Sequence, residues 1–104
     1  MEYNYYNNPP DTPSPNLVLP SPIYDKDKNL IPPGIYGVDF SKERNLLFLI
    51  QSNQIKAVLH VKEIINSKTE RTIPVANATV LSPKQLLIIY KEKTMEVHST
   101  LDIP

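Results

Sequence analysis

The chain of 104 residues contains no cysteine and only two glycines, Gly34 and Gly37. Without cysteine, neither a disulfide framework nor a thiolate metal site can stabilise a small fold. A phosphate-binding loop needs several glycines before a helix, so this kind of nucleotide site is excluded as well. Acidic and basic side chains are equal in number, eleven of each, so bulk electrostatics favour neither nucleic acid nor an anionic membrane as a partner.

Long apolar runs are also missing, since no stretch approaches the roughly eighteen residues of a membrane span. We therefore predict no membrane insertion. The N-terminus lacks the basic region and the apolar run of a signal peptide, so we expect a soluble protein that is either cytosolic or the mature form of an exported one.

Proline, in contrast, is abundant, and eight of the eleven prolines precede Gly34. Proline fixes φ, lacks a donor and pushes its preceding neighbour out of the helical region, so regular helix is excluded from Pro9 to Pro33. We interpret residues 1–33 as an extended, proline-rich N-terminal arm with polyproline II or irregular backbone. Residues 34–104 then form a separate small domain.

The arm contains more apolar residues than a linker needs, and five of them are predicted to bind a partner: Leu17, Val18, Leu19, Ile23 and Tyr24. We expect them to dock onto the protein's own domain or onto a partner protein. The edge of a sheet can accept an extended segment by main-chain pairing, and residues 17–19 are the best candidates for this pairing. The alternative is a flexible leader in which these residues occur by chance.

From Gly34 onward, β-branched and aromatic residues alternate with polar ones, which predicts an all-β fold of about six short antiparallel strands. Turns are expected at residues 41–45, 52–53, 82–84 and 92–94, and a charged loop at residues 66–71. The predicted strands form two three-stranded meanders, arranged as a small sandwich or a flattened barrel.

An internal repeat supports this division, because a shift of forty residues superimposes Leu46–Ile50 on Leu86–Tyr90. The alternative is that any two β-meanders match this well by chance. Both segments are apolar on both faces and therefore need cover on both sides. We expect the arm, or a second copy of the chain, to supply the cover that the sheets do not give each other.

His60 and His98 are the only histidines, and the alternation predicts that both lie on polar, surface-facing positions of strands. Two isolated histidines, with no cysteine and no carboxylate at ligand spacing, fall short of the usual three or four metal ligands. Ser99 follows His98 directly, so their side chains point to opposite faces and form no triad. We predict no catalytic residue, no cofactor and no metal site.

These features favour a non-enzymatic protein-interaction or structural module that binds a protein partner or self-associates. The alternative is a small-ligand carrier with a cavity between the two sheets, lined by Phe40, Phe48 and Tyr90. An enzyme is the least favoured of the three classes. The segments 16–20 and 31–36 resemble the mature part of small exported bacterial proteins, and this resemblance implies a periplasmic or cell-envelope location.

Overall fold

The computed structural model describes residues 14–104, which form eight strands and no helix. The strands are β1 (Asn16–Leu19), β2 (Ile23–Tyr24), β3 (Leu30–Ile31), β4 (Gly34–Ser41), β5 (Leu46–Gln51), β6 (Gln54–His60), β7 (Glu63–Ser82) and β8 (Gln85–Asp102). All their pairings are antiparallel, which confirms the predicted fold class.

The first predicted meander is present as β4–β5–β6, within a four-stranded sheet of order β1-β4-β5-β6. The turn between β5 and β6 consists of Ser52 and Asn53, which both have positive φ values, 53° and 61°. Two consecutive left-handed residues make the type I′ hairpin turn, whose twist matches that of the strands on either side. The sequence correctly predicts this turn.

The outermost strand of this sheet, β1, comes from the proline-rich arm. Leu17 lies opposite Tyr36 of β4, and the Val38 N–H donates to the Pro15 carbonyl at 3.0 Å. The pairing crosses the predicted boundary between residues 33 and 34, and the division into arm and domain stays a prediction. Residues 1–13 of the arm lie outside the described residues.

A short hairpin, β2–β3, follows β1, and its turn is organised by Asp25. One carboxylate oxygen of this buried side chain accepts the N–H groups of Asp27 and Asn29, both at 2.9 Å. The Lys26 N–H donates to the Val58 carbonyl of β6 at 2.9 Å. The turn is therefore attached to the edge of the four-stranded sheet.

The second half of the chain differs from the predicted meander, because β7 and β8 form one hairpin of two long strands. The predicted loop at 66–71 and the predicted turn at 92–94 both lie inside these strands. Between the pairs Asn66–Met95 and Arg71–Lys93, β7 advances by five residues while β8 advances by two. The polar residues that predict turns are thus accommodated as an irregular bulge, at which Lys93 has a φ of 53°.

The pairing in the hairpin also departs from the predicted repeat. Val38 of β4 lies opposite Leu49, so an exact repeat would set Ala78 opposite Ile89. Ala78 instead lies opposite Ile88, one residue away.

The main core lies where the four-stranded sheet and the long hairpin meet. The four-stranded sheet contributes Leu17, Leu19, Tyr36, Val38, Leu47, Leu49, Ala57 and Leu59, and β8 contributes Leu86, Ile88, Tyr90, Val97 and Leu101. A second, smaller cluster contains Leu46, Phe48, Ile55 and Val58. Because neighbouring residues of a strand point to opposite faces, β5 buries apolar residues on both faces, as its sequence predicts.

Candidate protein-binding surface

Strand β7 is the most exposed long element of the described chain. Of its twenty residues, Ala76 alone is buried. At both ends of β8, in contrast, buried residues alternate with partly exposed ones, which is the pattern of a strand with one face on the core, whereas residues 91–96 include no buried residue. Strand β8 therefore supplies most of the buried side chains of the hairpin. Strand β7 adds Ala76, Ala78 and a contact with β1, and it presents most of its other side chains to solvent.

The exposed side chains of β7 include five of the nine large apolar residues on the surface of residues 14–104: Ile64, Ile65, Ile73, Val80 and Leu81. Ile73 is the most exposed of them, at 74%. Single exposed apolar residues are normal on protein surfaces, but a concentration of them marks a site of interaction. This concentration on one strand makes β7 the candidate binding surface.

The backbone of β7 is paired on one side only. Its partner is β8, and no other strand among residues 14–104 pairs with its second edge. Such an edge presents N–H and C=O groups that can pair with another extended chain. In natural proteins, charged residues and proline at a sheet edge commonly limit such pairing. The middle of β7 carries Arg71 and Pro74.

The five arm residues predicted to bind a partner divide into two groups. Leu17, Leu19 and Ile23 are fully buried in the main core, whereas Val18 is 66% exposed and Tyr24 is partly exposed. The division follows from the alternation of side chains along an extended strand. Their binding to a partner protein stays a prediction.

Val18 has an exposed apolar neighbour, because it lies opposite Ile35 of β4, which is 61% exposed. Both side chains are on the sheet face that points away from the main core. This pair is a second, smaller apolar patch, distinct from the exposed apolar residues of β7. This patch has no local signal in the sequence, because it depends on the pairing of β1 with β4.

His98 occupies a more enclosed position than the predicted surface site, with its side chain 16% exposed. Its Nε2 lies 3.1 Å from Glu96 Oε1, and its Nδ1 lies 3.7 Å from Glu63 Oε1. Sequence reasoning missed Glu63 because that residue precedes the predicted fourth strand, whereas in the structure it begins β7 directly opposite His98. His60 is exposed, as predicted.

Ser99, the neighbour of His98, has a structural partner. Its buried hydroxyl donates to the His60 carbonyl at 2.6 Å, and the Lys62 N–H donates to the His98 carbonyl at 2.7 Å. These two bonds join the end of β6 to β8. Within residues 14–104, no three histidine, aspartate or glutamate side chains are grouped so as to hold a metal ion.

An acidic pair and a phenol lie where β4 approaches β8. Burial raises the pKa of Tyr90 to about 12, and the carboxylates of Glu92 and Asp39 add to the shift. Burial also raises the pKa of Asp39, an effect opposed by its hydrogen bond with the backbone of Phe40 and increased by Glu92. The Tyr90 ring packs on Phe40 at a centroid distance of 6.1 Å, so two of the residues predicted to line a ligand cavity pack against each other.

Three concavities of the described chain have volumes of about 170, 220 and 510 Å³. None of the three is lined by Phe40, Phe48 or Tyr90, the residues predicted to line a cavity between the sheets. The two larger ones lie along residues 67–75 of β7 and the facing part of β8. Both of these concavities therefore lie along the irregular part of the hairpin.

No protein-family model matches the chain, and comparisons with curated proteins and with solved structures found no significant similarity. Residues 14–104 contain no helix that would be long and apolar enough to cross a membrane.

Proposed function

We propose that the protein is a non-enzymatic interaction module that binds an extended segment of a partner protein along β7. The observation that carries this proposal is a strand of twenty residues that is paired on one side and exposes five large aliphatic side chains. Strand addition gains affinity from main-chain hydrogen bonds and specificity from alternate side chains. β7 offers both kinds of contact.

Residues 63–73 are the part of β7 to which we assign the binding. Further along the strand, Ala76 is buried and Ala78 packs against the main core, so the backbone there lies close to the domain. Ile64, Ile65 and Ile73 are exposed within the assigned segment. An extended partner segment of about six residues would span about 20 Å and pair with roughly half of it.

The arm has two roles in this proposal. Strand β1 completes the four-stranded sheet, and the exposed Val18 and Tyr24 offer a second contact to a partner. The resemblance to exported bacterial proteins adds the expectation of a cell-envelope location, which fractionation of cells tests. No observation on residues 14–104 specifically favours the ligand-carrier alternative.

The test selects peptides from a random phage-displayed library against the full chain and maps where they bind. We expect the selected peptides to carry alternating aliphatic residues and to protect amides of residues 63–73 from hydrogen exchange. Ile73→Lys introduces a charge at the most exposed apolar side chain of β7, and we expect it to weaken peptide binding by about tenfold or more. Because Ile73 is largely exposed, the variant should remain folded.

Leu81→Lys is the matched control, since it introduces the same charge at an exposed aliphatic residue of β7 that lies outside the assigned segment and outside the Val18–Ile35 patch. It should leave peptide binding unchanged. The proposal fails if no peptide is enriched, if bound peptides protect another strand, or if both lysine variants weaken binding equally.

A further inference from the structure

A basic groove lies where β7 and β8 lose their regular register. Its volume is about 220 Å³, and its polar lining residues are Ser67, Thr69, Arg71, Lys91, Lys93 and Glu96. The two strands therefore bring together three cationic side chains, two hydroxyl groups and one carboxylate. We call this feature the basic groove.

The positive charges of the basic groove are not neutralised within the described chain. Among residues 14–104, no carboxylate oxygen lies within 4.0 Å of the charged nitrogens of Arg71, Lys91 or Lys93. Glu96 is the one acid of the lining, and it is already engaged with His98 at 3.1 Å. The groove is thus a concentration of positive charge in a chain whose formal net charge is zero.

This arrangement is unfavourable for the hairpin itself. Arg71 lies directly opposite Lys93, and like charges in that relation destabilise an antiparallel pair. Lys93 also has a φ of 53°, in the left-handed region that residues other than glycine and asparagine avoid. Backbone strain of this kind concentrates at functional sites, so the groove is a candidate for ligand binding.

We propose that the basic groove binds a phosphate-type oxyanion. A phosphate group carries about two negative charges at neutral pH and several acceptor oxygens. It therefore matches three cationic side chains better than a ligand with a single carboxylate does. The guanidinium of Arg71 can donate two parallel hydrogen bonds to such a group. Ser67 Oγ accepts the Thr69 N–H at 3.2 Å, so its own hydroxyl proton is available to the ligand.

This site is separate from the peptide-binding edge. The oxyanion would contact side chains from both β7 and β8, whereas the proposed peptide pairs with the main chain of β7 on the side away from β8. A failure to bind phosphate would therefore not contradict the proposed peptide binding. A failure to bind peptides would likewise not contradict the proposed phosphate site.

The test titrates the full, ¹⁵N-labelled chain with inorganic phosphate at constant ionic strength, with chloride as the reference anion. We expect saturable amide shifts confined to residues 67–71 and 91–96, with a Kd of about 1 mM or lower. A parallel titration with ribose 5-phosphate distinguishes two sources of the phosphate group. Equal affinities assign the site to free phosphate, and tighter binding of the ester assigns it to a phosphorylated small molecule.

Arg71→Gln and Lys93→Gln should each weaken phosphate binding by about tenfold, because each removes one charge-assisted contact. Without phosphate, neither variant should have a lower melting temperature than the wild type, since the like-charge pair is removed. The melting temperature therefore distinguishes a loss of phosphate binding from a loss of folding. Lys68→Gln is the matched control: Lys68 lies between Ser67 and Thr69 but does not line the groove.

Two results would overturn the proposal. One is the absence of any saturable shift with either phosphate compound. The other is an equal loss of binding in Lys68→Gln, which would show a diffuse response to charge and no defined site.

Discussion

The two halves of the molecule contain similar apolar segments, but their strands are arranged differently. In the four-stranded sheet, β5 turns back through Ser52 and Asn53, both in the left-handed conformation. Forty residues later, only Lys93 of the equivalent pair has positive φ, and the chain continues as β8. A type I′ turn requires left-handed backbone at both positions, and only one of the two positions in the second half adopts it, so the chain extends there where the first half folds back.

The difference has a consequence for burial. Four of the six residues of β5 are buried, whereas one of the twenty residues of β7 is. The first region, which includes β1 from the arm, therefore holds most of the apolar contacts that stabilise the fold. The second region supplies the exposed strand β7 and the basic groove, and both features suit binding.

The largest expected effect is a difference in the free energy of unfolding between a substitution in the arm and a substitution in the hairpin. Leu17→Ala removes a fully buried side chain and leaves a cavity, so we expect it to lower the free energy of unfolding by about 3 kcal/mol. Ile73→Ala removes an exposed side chain and should change the free energy by less than about 0.5 kcal/mol. Urea denaturation of both variants measures the contrast, and similar values for the two would show that β1 is not part of the core.

A smaller effect is expected at alkaline pH, at the junction of β4 and β8. Burial raises the pKa of Tyr90 from 10.0 to about 12, so the unfolded chain releases this proton before the folded protein does. The free energy of unfolding should therefore fall by roughly 2 kcal/mol as the pH rises from 10 to 12. Chemical denaturation at several pH values measures the fall. Tyr90→Phe removes the ionisable group and should remove this part of the pH dependence, and an unchanged profile would contradict the assignment.

The smallest effect tests the residue at which the two halves diverge. Lys93→Gly places a residue without a Cβ at a left-handed position and removes the charge opposite Arg71, so we expect stability to rise by about 1 kcal/mol. Asn53→Gly relieves less strain, because asparagine already tolerates this conformation, and should raise stability by a few tenths of a kcal/mol. Thermal unfolding compares them, and a destabilised Lys93→Gly variant would contradict the account of the bulge.

Much of the first region was predictable because its signals are local. The alternation of β4 and β6, the doubly apolar β5 and the turn at 52–53 all follow from side-chain period and turn chemistry. The strand character of residues 16–19 was anticipated only as the ability to pair with a sheet edge. The partner strand, β4, could not be named, because pairing across the intervening residues depends on tertiary contacts.

The second region was predicted less well because its decisive interactions are not local. Polar residues at 66–71 and 92–94 indicate turns when each segment is taken alone, yet they face each other across one hairpin. For the same reason the sequence did not reveal the Glu63–His98 contact or the convergence of Arg71 with Lys91 and Lys93. Both depend on pairing between strand residues that lie about 20 to 35 positions apart in the sequence.

Native-state hydrogen exchange, resolved by residue, tests the contrast between the two regions most directly. We expect the amides of β1 that pair with β4 to be protected to a degree comparable with β5. Amides on the unpaired edge of residues 63–73 should exchange at least about a hundredfold faster than those of β5. Fast exchange throughout β1, or protection along the outer edge of β7 equal to that of β5, would contradict the account.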